Sequence, residues 1–227
     1  SNSMAAANWT YDRPVDSGGT TGNLGTWNNL KVSGSAYSEG NRKVVTATGG
    51  HVEVGTVAFD PSDSDGFYYE YECVAEGSND WYIGAMYVNQ DPAITDSDLG
   101  SQKYYAYTGY TGTDNIYTGD SSESPISAST WGTGDIVQVA IKDGELWFGK
   151  NNTWQNSGNP SSGSNPCFNA LDTNDTGPMV PFLRGGGVGA STFVLRCDSN
   201  LWSYSAPTGF KAVGSQNLAA PTITKPS

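Results

Sequence analysis

The sequence predicts an all-β fold, and both its composition and one clear hairpin support this. The 227-residue chain contains 13 tyrosines, 7 tryptophans, 7 phenylalanines and 29 glycines, whereas only 15% of its residues are charged. Long runs of strong helix formers such as Ala, Leu, Glu and Lys are missing. Aromatic and β-branched residues separated by Gly, Asn, Asp and Ser clusters are typical of a β-sandwich or barrel.

The hairpin lies in residues 134–150, which read GDIVQVAIKDGELWFGK. Apolar residues occupy alternate positions of its first half: Val137, Val139 and Ile141. Between and after them lie Gln138, Ala140 and Lys142, so the period of two predicts a strand with one buried face. Asp143-Gly144 tolerates the positive φ angles of a type I′ turn, and a second strand begins at Glu145.

Four segments before the hairpin also predict strands: residues 42–48, 51–59, 67–75 and 81–88. The third is the longest and alternates clearly. One side of it carries Phe67, Tyr69, Tyr71 and Cys73, and the other side carries Tyr68, Glu70, Glu72 and Val74. Residues 89–130 are the least regular part, with an acidic loop and tyrosines threaded through Gly, Thr and Asn.

Charge and cysteine content exclude several classes of partner and cofactor. With 23 acidic and 11 basic residues the net charge is −12, which argues against nucleic acid and against anionic lipid. No stretch approaches the roughly 20 apolar residues of a membrane helix, so we expect no membrane insertion. The spacing of Cys73, Cys167 and Cys197 fits no zinc motif. We expect three buried free thiols, the alternative being one disulfide and one free thiol.

Two strings carry a resemblance to a known family. Residues 134–158, GDIVQVAIKDGELWFGKNNTWQNSG, resemble the late hairpin of SPRY-type domains, and in particular that of SPRY-like domains in structural proteins of tailed bacteriophages. Residues 203–213, SYSAPTGFKAV, resemble the end of the same phage domains. Residues 177–183 and 191–197 resemble two further strands of the family. Pro178 and Pro181 suggest that the first of these is an edge strand or has a bulge.

The resemblance implies a concanavalin A-like, jelly-roll-like sandwich of two antiparallel sheets over about residues 22–215. Residues 1–21 would then be an N-terminal arm and residues 216–227 a C-terminal linker. It also implies a non-enzymatic module of a virion, in a fibre, tail or capsid decoration. Such a module would bind a host glycan or another virion protein through loops at one end of the sandwich. A homo-oligomer could form through a longer parent chain. A cellular SPRY adaptor that binds a peptide is one alternative.

Aromatic and amide side chains in the loops form the candidate ligand site. Sugars pack their C–H faces on aromatic rings, and amides bond their hydroxyl groups. The residues that could line such a site are Tyr105, Tyr107, Tyr110, Trp154, Gln155, Asn156 and Asn159.

A second alternative is a glycoside hydrolase or lyase of concanavalin A-like fold. Glu70 and Glu72 lie two apart on one strand, so their side chains share a face at roughly 6.6 Å. Glycosidases of this fold usually carry three acidic residues at alternate positions, whereas here Tyr68 and Val74 flank the pair. We therefore expect a structural pair. His51, the only histidine, has no obvious catalytic partner.

No cofactor is expected, although a surface calcium ion is an alternative at one acidic turn. Asp60, Asp63 and Asp65 lie in this turn, and the spacing from Asp63 to Glu72 resembles part of an EF-hand loop. Its first ligand position would be Pro61, which offers no side-chain oxygen. Asp96, Asp98, Asp172 and Asp175 lie in comparable loops. An ordinary acidic turn is the preferred interpretation of all of them, because Asp favours such positions for its own backbone hydrogen bonds.

Overall fold

The computed structural model describes residues 23–30, 34–77, 81–88, 103–109, 115–119, 126–169, 171, 177–185 and 189–218. Within these residues fourteen strands form two stacked sheets. The strands are β1 Ala36–Ser38, β2 Lys43–Val45, β3 Val52–Val54, β4 Gly66–Ala75, β5 Tyr82–Tyr87, β6 Tyr104–Thr108, β7 Ile116–Thr118, β8 Ile136–Lys142, β9 Glu145–Lys150, β10 Thr153–Trp154, β11 Phe168–Asn169, β12 Met179–Arg184, β13 Thr192–Arg196 and β14 Phe210–Ala212. The predicted arm, residues 1–21, and most of the predicted linker lie outside the described residues.

The larger sheet has the order β1-β2-β13-β4-β8-β9-β10, with β11 paired to β9 and β14 paired to β4. The smaller sheet has the order β3-β12-β5-β6-β7. All pairings are antiparallel except that of β14 with β4. The predicted antiparallel sandwich is confirmed. Among the described residues, no helix is long and apolar enough to span a membrane.

The predicted central hairpin is confirmed. Strands β8 and β9 pair from Val137 opposite Lys150 to Lys142 opposite Glu145. Asp143 and Gly144 both have positive φ, at 52° and 76°, as a type I′ turn requires. The turn is also held from outside, because the Asp143 and Gly144 N–H groups donate to carbonyl oxygens of the 60–65 segment at 3.2 and 2.9 Å.

The core lies between the sheets and follows the alternation predicted for β4. Its inner residues are all buried there: Phe67, Tyr69, Tyr71 and Cys73. Two of them reach the opposite sheet, because the Tyr69 and Tyr71 hydroxyls donate to the Gly84 carbonyl of β5 at 2.9 and 2.8 Å. The three cysteines are buried free thiols, as predicted.

The second face of β8 was predicted to meet solvent, and this is wrong. Gln138 and Ala140 are fully buried. Strand β13 pairs with residues 70–75 of β4, and β14 pairs with residues 66–68 along the same edge. The chain segment that connects β13 to β14 crosses the outer face of the larger sheet and covers the two residues. A second apolar cluster of Tyr68, Ala140 and Trp147 therefore forms on this outer face.

Two further predictions about strands are corrected by the smaller sheet. The supposedly irregular zone contains β6 and β7. Strand β12 is internal, between β3 and β5, although proline favours edges. Pro181 is tolerated because it lies beyond the last ladder pair of β3, where its carbonyl accepts the Gly55 N–H at 2.8 Å.

Candidate ligand-binding surface

Two of the three tyrosines of the predicted site belong to the core. Tyr105 and Tyr107 are inner residues of β6, with 2% and 0% exposure. The Tyr105 ring packs against Phe168 with 4.9 Å between centroids, and the Tyr107 hydroxyl donates to the Ser129 carbonyl. A ligand on the surface cannot reach either residue, which corrects the prediction. Tyr110 lies outside the described residues.

The second half of the predicted site lies at the surface, in loop 151–166. Trp154 is half-buried and pairs with Gly149, where an added Cβ would come within 3.1 Å of its ring. Asn156 and Asn159 are exposed. Gln155 is buried and structural, since its Oε1 accepts the Ser129 N–H at 3.0 Å. Trp154, Asn156 and Asn159 therefore remain as candidate contacts.

Loop 151–166 is held in one conformation by its own polar groups. Five of its non-glycine residues have left-handed φ angles, a conformation that is sparsely populated and concentrates at functional sites. They are Asn151, Asn152, Asn156, Ser157 and Asn165. Asn156 Nδ2 donates to the Pro166 carbonyl at 2.9 Å, and Trp147 Nε1 donates to the Ser164 carbonyl at 3.0 Å. The loop is thus anchored to the apolar cluster beneath it.

A second segment, residues 198–209, lies beside this loop. Its Trp202 is half-buried and meets the Tyr68 ring edge-on, with 4.8 Å between centroids. Trp202 Nε1 donates to the Arg196 carbonyl at 3.0 Å. The Thr208 N–H donates to Ser161 Oγ at 3.0 Å and so joins the segment to the loop. We call the combined area, residues 151–166 and 198–209, the Trp154–Trp202 surface.

Sequence reasoning missed this second segment, because residues 198–209 show no strand periodicity and are separated from residues 151–166 by three intervening strands. The surface also lies over the outer face of the larger sheet, whereas the family resemblance implied loops at one end of the sandwich. A signal was available in the aromatic residues Trp202 and Tyr204, which are unusual in a segment without alternation.

The Trp154–Trp202 surface is almost free of charge. Charged residues make up 15% of the chain, and the whole chain has a net charge of −12. Within the two segments, however, Asp198 is the only charged residue, and it is 3% exposed. The surface offers aromatic rings, amides and hydroxyl groups instead. Such groups can recognise a ligand by stacking and hydrogen bonding without ion pairs.

A buried polar network beneath the surface attaches residues 198–209 to the sheet. Glu70 is fully buried. Its Oε1 accepts the Tyr68 hydroxyl at 2.7 Å and the Tyr204 N–H at 2.9 Å, and its Oε2 accepts the Ser203 N–H at 2.6 Å. Burial, followed by the neighbouring Glu70 charge, raises the pKa of Tyr68 well above its ordinary value. The hydroxyl therefore remains a donor.

Glu70 and Glu72 do not form an accessible carboxylate pair. Arg196 lies between them, with its Nη1 3.9 Å from Glu70 Oε2 and its Nη2 bonded to Glu72 Oε2. Glu70 already accepts three hydrogen bonds, and residues 203 and 204 cover it. A substrate cannot contact Glu70 in this arrangement. The geometry agrees with the structural role expected for the pair.

The acidic turn considered for calcium is already occupied by internal contacts. Asp60 Oδ1 accepts the Ser62 N–H at 2.9 Å. The Lys211 ammonium lies 3.1 Å from Asp63 Oδ2 and 3.6 Å from Asp65 Oδ2. Burial raises the pKa of Asp63, but the Asp65 N–H and Lys211 outweigh it, so this pKa lies below its ordinary value.

No group of three or more His, Cys, Asp or Glu side chains with metal-binding geometry occurs in the part of the chain that the structure describes. Asp96, Asp98, Asp172 and Asp175 lie outside that part. A calcium ion at the acidic turn would have to replace Lys211 as the positive charge beside Asp63. Surface calcium stays a prediction.

The fold places this chain in a structural class. No family model and no curated protein matches the sequence. Among solved structures, the chain is similar to the SPRY domain of human HERC1, with a TM-score of 0.57 and 14% identity over 78% of this chain and 99% of that chain. It is also similar to the TRIM65 PSpry domain, with a TM-score of 0.51 and 13% identity over 76% and 88% of the two chains.

The chain is therefore an all-β protein with a SPRY-type, concanavalin A-like antiparallel sandwich. The predicted fold class is confirmed. At 13–14% identity the similarity establishes the fold alone.

Proposed function

We propose that this chain is a non-enzymatic binding module, and that its sandwich presents the Trp154–Trp202 surface to an external ligand. The observation that carries the proposal is a hydrogen-bonded surface of aromatic and amide side chains, in which Asp198 is the only charged residue, on a strongly acidic protein. Rigid loops lose little conformational entropy on binding, which favours affinity. Aromatic rings with a few convergent polar groups are the usual composition of ligand sites.

We further propose that the module belongs to the virion of a tailed phage, as part of a fibre, a tail or a capsid decoration. Its ligand would be a host-surface glycan or another virion protein. The support is the resemblance of residues 134–158 and 203–213 to phage SPRY-like domains. Most of the Trp154–Trp202 surface is built from these two strings or lies next to them.

A second candidate is a cellular SPRY-type adaptor that binds a peptide. The observation that favours it is the similarity of the fold to the SPRY domain of human HERC1 and the TRIM65 PSpry domain. An adaptor of this kind would retain peptides from a random display library and would ignore bacterial cells. The phage module would bind bacterial cells or virion proteins and would retain no peptides from the library.

Binding of fluorescently labelled protein to a panel of bacterial cells and to disassembled virion proteins tests the proposal. The decisive variant carries Asn152→Asp and Asn159→Asp, which place two negative charges on the exposed part of the surface. Both side chains are exposed, so we expect an unchanged melting temperature and weaker binding. The control is Asn169→Asp, which adds charge to an exposed residue opposite Glu145, at the other end of β9.

Equal loss of binding in the control variant, or full binding by the double variant, would show that the ligand lies elsewhere. Incubation of the protein with purified surface polysaccharide tests the non-enzymatic part of the proposal. We expect no release of new reducing ends, and their appearance would favour the glycoside hydrolase alternative.

A further inference from the structure

We infer that the ligand of the Trp154–Trp202 surface is a neutral oligosaccharide that spans several sugar units. This inference rests on the proposed function and specifies its ligand. Trp154 and Trp202 supply ring surface, and the exposed amides of loop 151–166 supply hydrogen bonds. A neighbouring protein bound at the same surface would be recognised by different groups, mainly a desolvated apolar centre and ion pairs.

The two tryptophans are far enough apart to contact different units of one chain. Trp154 ends β10, whereas Trp202 packs on Tyr68 of β4. The Trp154 ring lies over Gly149 of β9, so the strands beneath the two rings, β4 and β9, are two strand spacings apart, about 10 Å. Both side chains pack against the outer apolar cluster and remain only partly buried. A linear ligand that crosses the strands could contact both rings.

The absence of charge indicates a neutral ligand. Neither segment contains a lysine or an arginine that could pair with a sialic acid, a uronic acid or a sulfate. Two cations border residues 198–209. Arg196, which bonds Ser203 Oγ, is already paired with Glu72. Lys142 Nζ lies over the Phe210 ring, near Gly209. The net charge of −12 adds a general repulsion toward anionic chains. Hydroxyl groups, in contrast, need neutral donors and acceptors, which asparagine and serine provide.

The surface also lacks the aliphatic centre of a typical protein interface. Among the described residues, the exposed large hydrophobic side chains are Leu30, Val45, Val74 and Val88. None of them lies in either segment. Protein interfaces concentrate binding energy in fully desolvated Trp, Tyr and Arg anchors, so the two tryptophans suit either kind of ligand. The asparagines and serines around them, with no aliphatic centre, favour the C–H faces and hydroxyl groups of a sugar.

Several amide groups are available to such a ligand. The side chains of Asn152 and Asn159 make no hydrogen bond within the described part of the chain, and both residues are exposed. Asn156 uses Nδ2 to bind the Pro166 carbonyl, which leaves Oδ1 as an acceptor at the surface. The left-handed backbone fixes the direction of Asn152 and Asn156 before any ligand arrives.

A glycan array with neutral hexose and N-acetylhexosamine chains, beside sialylated, uronate-containing and sulfated ones, tests the inference with the full chain. We expect binding to neutral chains only, with tighter binding of a tetrasaccharide than of the related disaccharide. Because no ion pair contributes, the affinity should change less than about twofold between low salt and about 1 M NaCl. Preference for acidic glycans or a steep salt dependence would overturn the inference.

Single-residue variants test whether a neutral glycan binds at the Trp154–Trp202 surface. Asn159→Ala removes an amide that supports no other residue, and we expect about a three- to tenfold loss of affinity at an unchanged melting temperature. Trp154→Ala should abolish binding, and Trp154→Phe, which keeps a ring on Gly149, should restore part of it. The matched control Asn169→Ala should bind the array as the unmodified chain does.

The outcomes distinguish this inference from the proposed function. If the Asn152→Asp/Asn159→Asp variant loses cell or virion-protein binding but no neutral glycan binds the chain, the inference fails and the proposed function stands. If neutral glycans bind and no variant of the surface changes their affinity, both fail. If neutral glycans bind and only the surface variants weaken them, both are supported.

Discussion

Glu70 attaches the C-terminal part of the candidate surface to the sandwich. A buried carboxylate is unfavourable unless hydrogen bonds and an opposite charge compensate for lost water. Here the Ser203 and Tyr204 N–H groups, the Tyr68 hydroxyl and the Arg196 guanidinium provide that compensation. The position of residues 198–209 therefore depends on the charge of one side chain.

Glu70→Gln should lower the free energy of unfolding by about 2–4 kcal/mol, because the new amide group faces donors that then lack an acceptor. Urea unfolding followed by tryptophan fluorescence measures this change. Glu72→Gln is the matched control, and it should cost less than about 1 kcal/mol because its ion pair with Arg196 is partly exposed. Equal costs for the two variants would show that the Glu70 network does not hold the segment.

The buried thiols predict a loss of stability at alkaline pH. Burial, followed by Glu76, Asp135 and Glu72, raises the pKa of Cys73 to about 12 from an ordinary value of 9.0. Burial also raises the pKa of Cys167, to about 11. The unfolded chain therefore releases these protons at lower pH than the folded chain. The contribution to stability is fully present below pH 9 and is lost progressively as pH rises from 9 toward 12.

Urea titrations between about pH 8 and about pH 10 measure this slope, which should be negative. Cys73→Ala should reduce the slope, although the cavity lowers stability at every pH. A slope that is unchanged in the variant would contradict the assignment to Cys73.

At the scale of single residues, sequence alternation predicted the inner face of β4 correctly, from Phe67 to Cys73. It failed on the opposite face, where Tyr68, Glu70 and Gln138 are also buried. Alternation reports the polarity of side chains, and polar side chains can be buried when a distant segment satisfies them. The partners of Glu70 are 133 and 134 residues away in sequence, which no local pattern reveals.

At the scale of elements, Tyr71 connects the two sheets. Its hydroxyl oxygen lies 2.8 Å from the Gly84 carbonyl oxygen and 3.0 Å from the Phe182 carbonyl oxygen, and it accepts the Phe182 N–H at 3.0 Å. The Tyr71 side chain thus extends from β4 to the backbones of β5 and β12 in the opposite sheet. Burial raises the pKa of this hydroxyl well above its ordinary value, so it remains protonated.

Tyr71→Phe should destabilise the chain by about 1–3 kcal/mol, because it leaves buried backbone groups of two strands without this partner. Tyr69→Phe is the comparison, since the Tyr69 hydroxyl interacts with the Tyr71 hydroxyl and with a single backbone group, the Gly84 carbonyl, which keeps Tyr71 as a donor. Differential scanning calorimetry of both variants measures the effect. A larger loss in Tyr69→Phe would mean that the sheets are not joined mainly through Tyr71.

Elements whose own residues encode their backbone conformation could be predicted from the sequence. Elements that depend on packing against distant parts of the chain could not. The Asp143-Gly144 turn predicted the β8–β9 hairpin because its positive φ angles are encoded locally. Strand β6, Tyr104–Thr108, was not predicted because the sequence on either side of it shows no regular alternation. In addition, tyrosine is common both in a core and in a binding loop. For the same reason Tyr105 and Tyr107 were assigned to the ligand site.

At the scale of the whole molecule, the C-terminal segment closes the outer face of the larger sheet. Trp202, Ala206 and Phe210 pack against Tyr68, Ala140 and Trp147, and β14 then pairs with the start of β4. The sandwich is thus a three-layered structure at this place, with a short third layer of irregular backbone. The candidate surface exists only because this layer lies beside loop 151–166.

Truncation tests this dependence and the predicted domain boundary together. A chain that ends at Cys197 exposes Tyr68 and Trp147 and leaves Glu70 without two of its three hydrogen-bond donors. We expect it not to fold, because it loses the apolar packing of Trp202, Ala206 and Phe210 and the pairing of β14 with β4, whereas the total stability of a domain is only about 5–15 kcal/mol.

A chain that ends at Leu218 keeps both the Ser215 N–H to Asn23 bond and the β14 pairing, so it should melt at the temperature of the full chain. Circular dichroism melting compares the two truncated chains with the full chain. Cooperative melting of the chain that ends at Cys197 would show that the two sheets fold without the third layer. The Trp154–Trp202 surface would then be an addition to a self-sufficient sandwich rather than a part of it.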